Sequence, residues 1–208
     1  MPTPSFERLP EAKKSRIFHG ICRELLDSDV QTLTVSRVAK ASGISRSVLY
    51  HYFSSKDDMI FYTADEIEAR LKRQFIVCLY RADGKLGIGA DAFLNWLFGE
   101  EGNELCRLWM LLRSGKFGNE IADRTQLLFF RQNSWELFLK YYRAGLHAAY
   151  GQVSEEALSH AVELILMITE KSVFYFMAGW EPRDAIQAAA GTQYQILEKG
   201  IVKEHSAE

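Results

Sequence analysis

The sequence contains little that would interrupt a helix, with four prolines and fourteen glycines among its 208 residues. It lacks any uncharged apolar run near the roughly 18 residues that a membrane-spanning helix needs, so we expect no membrane partner. Its first ten residues contain no apolar core typical of a secretion signal, which favours a cytoplasmic location. Strand-like alternation of apolar and polar residues over four or more positions is also missing, so the sequence predicts an all-α protein.

Cysteine is scarce as well. Cys22, Cys78 and Cys106 are far apart, and each lies in an apolar helical pattern. Buried, reduced thiols are the simplest interpretation, and they indicate a reducing compartment. Glu156 and His160 are four residues apart on one predicted helix, but no second set of metal-ligating residues accompanies them. We therefore expect neither a metal nor another cofactor.

The net charge of −2 by itself argues against a nucleic-acid partner. The charge is, however, unevenly distributed along the chain. Residues 1–56 carry nine Lys and Arg against five Asp and Glu, whereas residues 57–208 carry sixteen against twenty-two. A basic first quarter followed by an acidic remainder is typical of a DNA-binding head joined to a body with another task.

Apolar spacing and capping residues predict about nine helices. Thr34, Ser45, Ser55 and Ser154 occupy predicted N-termini, where a side-chain oxygen can accept a hydrogen bond from a free backbone amide. Gly99 and Gly102 are interpreted as the connector between the predicted helices at 88–98 and 103–114. The predicted helices cover roughly residues 10–26, 35–41, 46–53, 56–82, 88–98, 103–114, 120–149, 155–178 and 182–201.

Two short helices joined by Ser42-Gly43-Ile44 predict a helix-turn-helix, because Gly43 accepts the positive φ of a tight turn. In the second helix, at 100° per residue, Leu49 and Phe53 face the core. Ser47 and His51 then point outward, flanked by Tyr50 and Val48, and the long Arg46 side chain reaches the same side. Such a polar, basic face with interleaved aromatic rings suits base edges and phosphates.

This segment resembles the N-terminal DNA-binding domain of the TetR family of repressors. The resemblance covers about residues 10–60, including Arg16-Ile17 in the first helix. Ser42 stands where the family usually has alanine, Ser47 where many members have a small residue or glycine, and Val48 where many have a hydroxyl residue. The matching motifs are Thr34, Val38-Ala39, Ser42-Gly43-Ile44-Ser45, Leu49-Tyr50-His51-Tyr52-Phe53 and Ser55-Lys56-Asp57 followed by Met59.

The resemblance implies a role for each matching residue in DNA binding. Thr34, Tyr50 and Lys56 would contact phosphates, and Arg46, Ser47 and His51 would face the major groove. Val48 would touch a thymine methyl group. Ser45, at the start of the recognition helix, completes the predicted DNA-binding set.

The rest of the chain is rich in aromatic residues, and the resemblance implies a small-molecule pocket there. Aromatic walls with a few polar groups are what such a pocket needs. The candidate ligand-binding residues are Phe93, Trp96, Trp109, Arg113, Phe130, Trp135, Thr169 and Phe174.

The last two helices are predicted to join two copies into a homodimer. The middle of the helix at 155–178 is apolar nearly all round, so it lacks a single buried face. The candidate interface residues are Ile165, Ile186, Ala190, Tyr194 and Leu197.

We therefore expect a ligand-responsive regulator, a repressor, that binds operator DNA as a homodimer and is released by a small-molecule effector. Residues 1–55 would form a three-helix DNA-binding domain, and residues 56–208 a helical ligand-binding and dimerisation domain. The helix starting at Lys56 would belong to both and carry the coupling. Two alternatives remain, an all-α enzyme with an incidental N-terminal hairpin and a helical adaptor that binds a partner through its last two helices.

Overall fold

The structure, a computed structural model, describes residues 2–28, 32–114, 146, 148–151 and 153–203, and no strand occurs within these ranges. The predicted all-α class is confirmed. Most of the predicted helix over 120–149 lies outside the described residues. The helices with assigned bounds are α1 (Pro4–Glu7), α2 (Glu11–Ser28), α3 (Val35–Ala41), α4 (Arg46–Tyr52), α5 (Lys56–Arg81), α6 (Leu86–Leu97), α7 (Glu100–Ser114), α8 (Glu155–Ala178) and α9 (Arg183–Lys203).

Four helices begin where the capping residues predicted. In each case a side-chain hydroxyl oxygen accepts a hydrogen bond from an amide three residues further on, which pairs one of the free N–H groups of the first turn. The four caps are Thr34 to Arg37 at 3.4 Å, Ser45 to Val48 at 3.3 Å, Ser55 to Asp58 at 3.0 Å and Ser154 to Ala157 at 3.2 Å.

The start of α7 differs from its prediction, because Gly102 lies inside the helix and the connector consists of Phe98 and Gly99. A side chain at position 102 would overlap the carbonyl oxygen of Trp96 and lie 2.6 Å from the Cα atom of Leu97. Gly102 is therefore explained by close backbone packing against the end of α6, and its assignment to the connector is wrong.

The chain divides into two compact units, and the division falls within α5, between Ala69 and Arg70. The first unit contains α1 to α4, the beginning of α5 and the part of α7 from Arg107 onward. The second contains the remainder of α5, α6, the start of α7, α8 and α9. The assignment of separate functional domains to residues 1–55 and 56–208 stays a prediction.

In the second unit, α6, α8 and α9 pack against one another. Thr169 on α8 and Tyr194 on α9 are both buried, and their hydroxyl oxygens lie 2.6 Å apart. Burial raises the pKa of Tyr194 strongly. Tyr150 adds a second tie, because its hydroxyl accepts from the Leu86 amide at 2.6 Å and donates to Glu198 Oε1 at 2.6 Å.

Candidate nucleic-acid interface

The turn between α3 and α4 has the geometry that its sequence predicts. Gly43 adopts a φ of +65°, a left-handed conformation that residues with a Cβ atom rarely adopt. α3 is tied to α2 by an ion pair between Arg37 Nε and Glu24 Oε2 at 2.7 Å. The helix that precedes the turn is therefore fixed on the core of the first unit.

The predicted division of α4 into a core side and an outward side is confirmed. Leu49 and Phe53 are fully buried, and Tyr52 is nearly so. Ser47 and His51 are exposed on the opposite side of the same helix. The apolar side thus anchors α4 to the first unit and leaves the polar side open to solvent.

Contacts within α4 organise the outward side. The Arg46 guanidinium lies 5.4 Å from the centre of the Tyr50 ring, and its Nη2 atom donates to the Tyr50 hydroxyl at 3.4 Å. Tyr50 is 44% exposed, so this cation–π contact sits at the surface. Ser45 and Ser47 hydroxyl oxygens are 3.0 Å apart. Arg46 with Tyr50 and Ser45 with Ser47 therefore form two contacting pairs of exposed polar side chains.

The remaining predicted DNA-binding residues are Thr34, Val48 and Lys56, on or beside α3, α4 and α5. Thr34 is exposed at the start of α3, where its hydroxyl oxygen caps the helix, and Val48 is half-buried on α4. Lys56 is the half-buried first residue of α5. Thr34 and Lys56 each stand at a helix N-terminus, where backbone amides favour an anion.

The short helix α1 was not predicted from the sequence. Its Phe6 is buried against aromatic rings at the end of α4 and on α5, and Thr3 bonds to the last carbonyls of α4. The signal was present, because a threonine followed by proline is a typical helix start. Phe6 was overlooked because it is a single aromatic residue in an otherwise polar segment.

The described candidate ligand-binding residues are divided between the two units. Phe93 is buried, stacks on Trp96 at 6.0 Å between ring centres, and belongs to the second unit. Trp109 and Arg113 belong to the first unit, where Trp109 is buried. In the second unit, Thr169 is hydrogen-bonded to Tyr194, and Phe174 is half-exposed beside Trp180. Phe130 and Trp135 lie outside the described residues.

The candidate interface residues already pack inside their own chain. Ile165, Ile186, Ala190 and Tyr194 are at most 3% exposed, and Leu197 is half-buried. They form part of the core that joins α6, α8 and α9. The exposed apolar side chains of α8 and α9 are different ones, namely Leu164, Met167, Phe174 and Ile196.

Two further observations concern only the described part of the chain. No helix there is both long enough and apolar enough to cross a membrane. No group of three His, Cys, Asp or Glu side chains in those ranges is arranged to hold a metal ion.

Comparison with known proteins identifies the N-terminal segment directly. Residues 17–63 match the family model described as bacterial regulatory proteins, tetR family. This range contains α3, the turn and α4, together with most of α2 and the start of α5. No curated protein sequence matches the chain.

Solved structures extend the likeness over most of the chain. A transcriptional regulator from Rhodococcus sp. Rha1 superposes with a TM-score of 0.64 at 17% identity, covering 89% of this chain and 96% of that one. The fatty acid degradation regulator FadR from Bacillus halodurans gives 0.59 at 18% identity, covering 93% and 98%. A TetR family transcription regulator from Marinobacter aquaeolei VT8 gives 0.56 at 19% identity, covering 90% and 95%.

These likenesses agree with the motifs read from the sequence and with the outward face of α4. Residues 17–63 therefore match the N-terminal model of the tetR family of bacterial regulatory proteins, and the chain has the fold of solved TetR-family transcription regulators.

Proposed function

We propose that this protein is a transcription regulator that binds operator DNA as a homodimer and represses until a small-molecule effector releases it. The outward face of α4 carries the proposal. Arg46, Ser47 and His51 are exposed there, while the opposite side of the same helix is buried in the first unit. A short helix anchored in this way fits the major groove with its polar side toward the bases.

The proposed contacts fall into two classes. Arg46, Ser47 and His51, with Val48 against a thymine methyl group, would read bases, because their side chains stand on the outward face. Thr34, Tyr50 and Lys56 would bind phosphates and fix the position of α4, with Ser45 maintaining its first turn. Arg46 would thus read bases and Lys56 would bind phosphate, and mutation of each residue can distinguish the two roles.

Dimerisation is proposed to use the outer faces of α8 and α9. Leu164, Met167 and Phe174 follow one another at helical spacing on α8, and each is between 44% and 51% exposed. On α9, the exposed residues Ala185 and Ala189 and the exposed Ile196 form a narrow face that permits close helix approach. Four such helices, two from each copy, would bury these apolar faces in a shared seam.

The effector is proposed to be a largely apolar small molecule bound in the helical body. Phe93 and Trp96 provide stacked aromatic surface within the second unit, and the other wall candidates stay predictions. A long-chain fatty acid is a suitable first probe because one structural relative is named a regulator of fatty acid degradation. Binding should lower operator affinity, since an effector acts only through different affinities for the two states.

The test is a gel shift of the purified full-length chain on DNA from upstream of its own gene, against a scrambled duplex of equal length. We expect a salt-dependent complex with the upstream DNA that withstands an excess of scrambled competitor. Light scattering at micromolar concentration should give a dimer, and Met167→Glu should yield monomers. If neither DNA is retained, the regulator proposal fails, and an enzyme or adaptor function must be considered instead.

A further inference from the structure

The N-terminal segment covers the C-terminal end of the recognition helix α4. The amide of Thr3 donates to the carbonyl oxygen of Tyr52 at 2.9 Å, and the Thr3 hydroxyl donates to the carbonyl oxygen of His51 at 2.9 Å. The last carbonyls of a helix have no amide partners within the helix itself. Thr3 therefore pairs two of the groups that α4 leaves open at its end.

The use of the Thr3 side chain is unusual for its position. Thr3 is the N-cap residue of α1, where a threonine hydroxyl oxygen commonly accepts from an amide of its own helix. Here the side chain makes no such bond, and only its carbonyl oxygen serves α1, accepting from the Phe6 amide at 2.9 Å. The hydroxyl is thus committed to α4 instead of to its own helix.

Phe6 fixes the same end of α4 by packing. It is 2% exposed, and its ring centre lies 5.9 Å from that of Tyr52 and 4.9 Å from those of Phe53 and Tyr62. Tyr62 belongs to α5, so Phe6 joins the end of α4 to the beginning of α5. Lys13 on α2 holds the same region, because its ammonium donates to the Tyr52 hydroxyl at 3.0 Å.

We propose that Thr3 and Phe6 are positioning residues that hold α4 in the orientation required to read bases. The inference rests on the proposed function, because it assigns the groove-reading role to α4. This helix has only seven residues, so its end contacts account for much of what fixes its axis. Base recognition depends on hydrogen-bond geometry, whereas non-specific binding depends mainly on phosphate charge. Loosening α4 should therefore reduce discrimination between DNA sequences more than it reduces general affinity.

The decisive pair of variants is Thr3→Val and Thr3→Ser. Valine keeps the shape and the backbone amide but removes the hydroxyl, while serine keeps the hydroxyl. We expect Thr3→Val to raise the operator dissociation constant about tenfold and the scrambled-DNA constant no more than about twofold, with Thr3→Ser close to wild type. Glu7→Gln, an exposed change in the same segment, serves as the control and should leave the ratio of the two constants unchanged.

Hydrogen exchange of the DNA-free protein gives a second measurement that does not depend on the operator. Amides in residues 46–53 should exchange faster in Thr3→Val and in Phe6→Leu than in wild type, and Thr3→Ser should restore protection. Equal weakening on both DNAs, an unchanged operator constant, or a serine variant as weak as the valine variant would overturn the positioning role. Absence of any sequence preference in the wild type would instead overturn the regulator proposal. Unaltered exchange in both Thr3→Val and Phe6→Leu would overturn only the positioning role of Thr3 and Phe6.

Discussion

Gly20 on α2 faces Ser42 at the end of α3 so closely that a methyl group at position 20 would overlap the Ser42 hydroxyl. The same methyl carbon would lie 2.9 Å from the Ser42 amide nitrogen and 3.0 Å from its Cα atom. Ser42 is fully buried and directly precedes the turn at Gly43. The glycine thus lets α2 and the helix-turn-helix pack at short range, and it accommodates a serine where the resemblance leads us to expect alanine.

Gly20→Ala should therefore destabilise the protein by roughly 1–3 kcal/mol, because the added carbon meets backbone as well as side-chain atoms. Gly200→Ala is the matched control, since nothing lies within 4 Å of a Cβ atom built there in α9. That change should stabilise the helix by up to about 1 kcal/mol. Urea unfolding of both variants measures the difference. A Gly20→Ala protein as stable as wild type would contradict the close packing.

The Thr169–Tyr194 pair yields a second prediction, because the proton positions follow from the contacts. Thr169 donates its hydroxyl hydrogen to the Ile165 carbonyl oxygen at 2.8 Å, so the Tyr194 hydroxyl is the donor across the 2.6 Å contact. Thr169→Val leaves that buried donor without its acceptor and should cost about 1–3 kcal/mol of unfolding free energy. Tyr194→Phe removes the donor instead and should cost about 0.5–1.5 kcal/mol.

A double-mutant cycle on this pair separates the hydrogen bond from packing effects. In the double variant Thr169→Val and Tyr194→Phe, the total loss should be smaller than the sum of the single losses by about 1 kcal/mol. Strict additivity would show that the two hydroxyls do not interact in solution.

Much of the first unit could be predicted because local rules decide it. Ser45 caps α4, Gly43 forms the turn, and two steps of about 100° place exposed His51 on the side opposite buried Leu49. The second unit was less accessible, because its interior depends on which apolar face meets which neighbour. Ile186 and Tyr194 form a correct helical stripe, yet periodicity does not distinguish packing within the chain from packing between two copies.

The contacts of Thr3 and Gly102 lay beyond sequence reasoning for another reason. Thr3 bonds to a residue 48 positions away, and only the folded arrangement brings the two together. Gly102 looks like a helix breaker in the sequence, but the backbone of Trp96 and Leu97 explains why no side chain fits. Tertiary packing overrides local propensity at both positions.

The buried thiol of Cys106 predicts a loss of stability in alkali. Burial raises its pKa from 9.0 to about 12, so the unfolded chain loses this proton at lower pH than the folded one. The contribution to stability is complete below pH 9 and disappears as the pH rises toward 12. The unfolding free energy should fall by a few kcal/mol across that window, and the fall should be smaller in Cys106→Ala. Identical pH slopes for the two proteins would contradict a buried, protonated thiol.

The last prediction separates phosphate binding from base reading in the proposed interface. Lys56 begins α5 beside amides that favour an anion, and a lysine there neutralises charge without reading sequence. Lys56→Ala should weaken operator and scrambled DNA by similar factors and flatten the salt dependence by about one unit per half-site. Lys85→Ala is the matched control, because it removes the same charge from an exposed residue at the start of α6.

Arg46→Ala should behave differently, because the Arg46 guanidinium lies on the outward face of α4 against the Tyr50 ring and can form two bonds to a guanine edge. The loss should be about 1–3 kcal/mol per half-site on the operator, with relaxed preference at one base position. Competition titrations of all three variants at several salt concentrations measure both effects. If Arg46→Ala loses equally on operator and scrambled DNA, Arg46 binds phosphate, and Ser47 or His51 must carry the specificity. If neither Arg46→Ala nor Lys56→Ala changes DNA binding, α4 is not the recognition helix, and the regulator proposal fails with it.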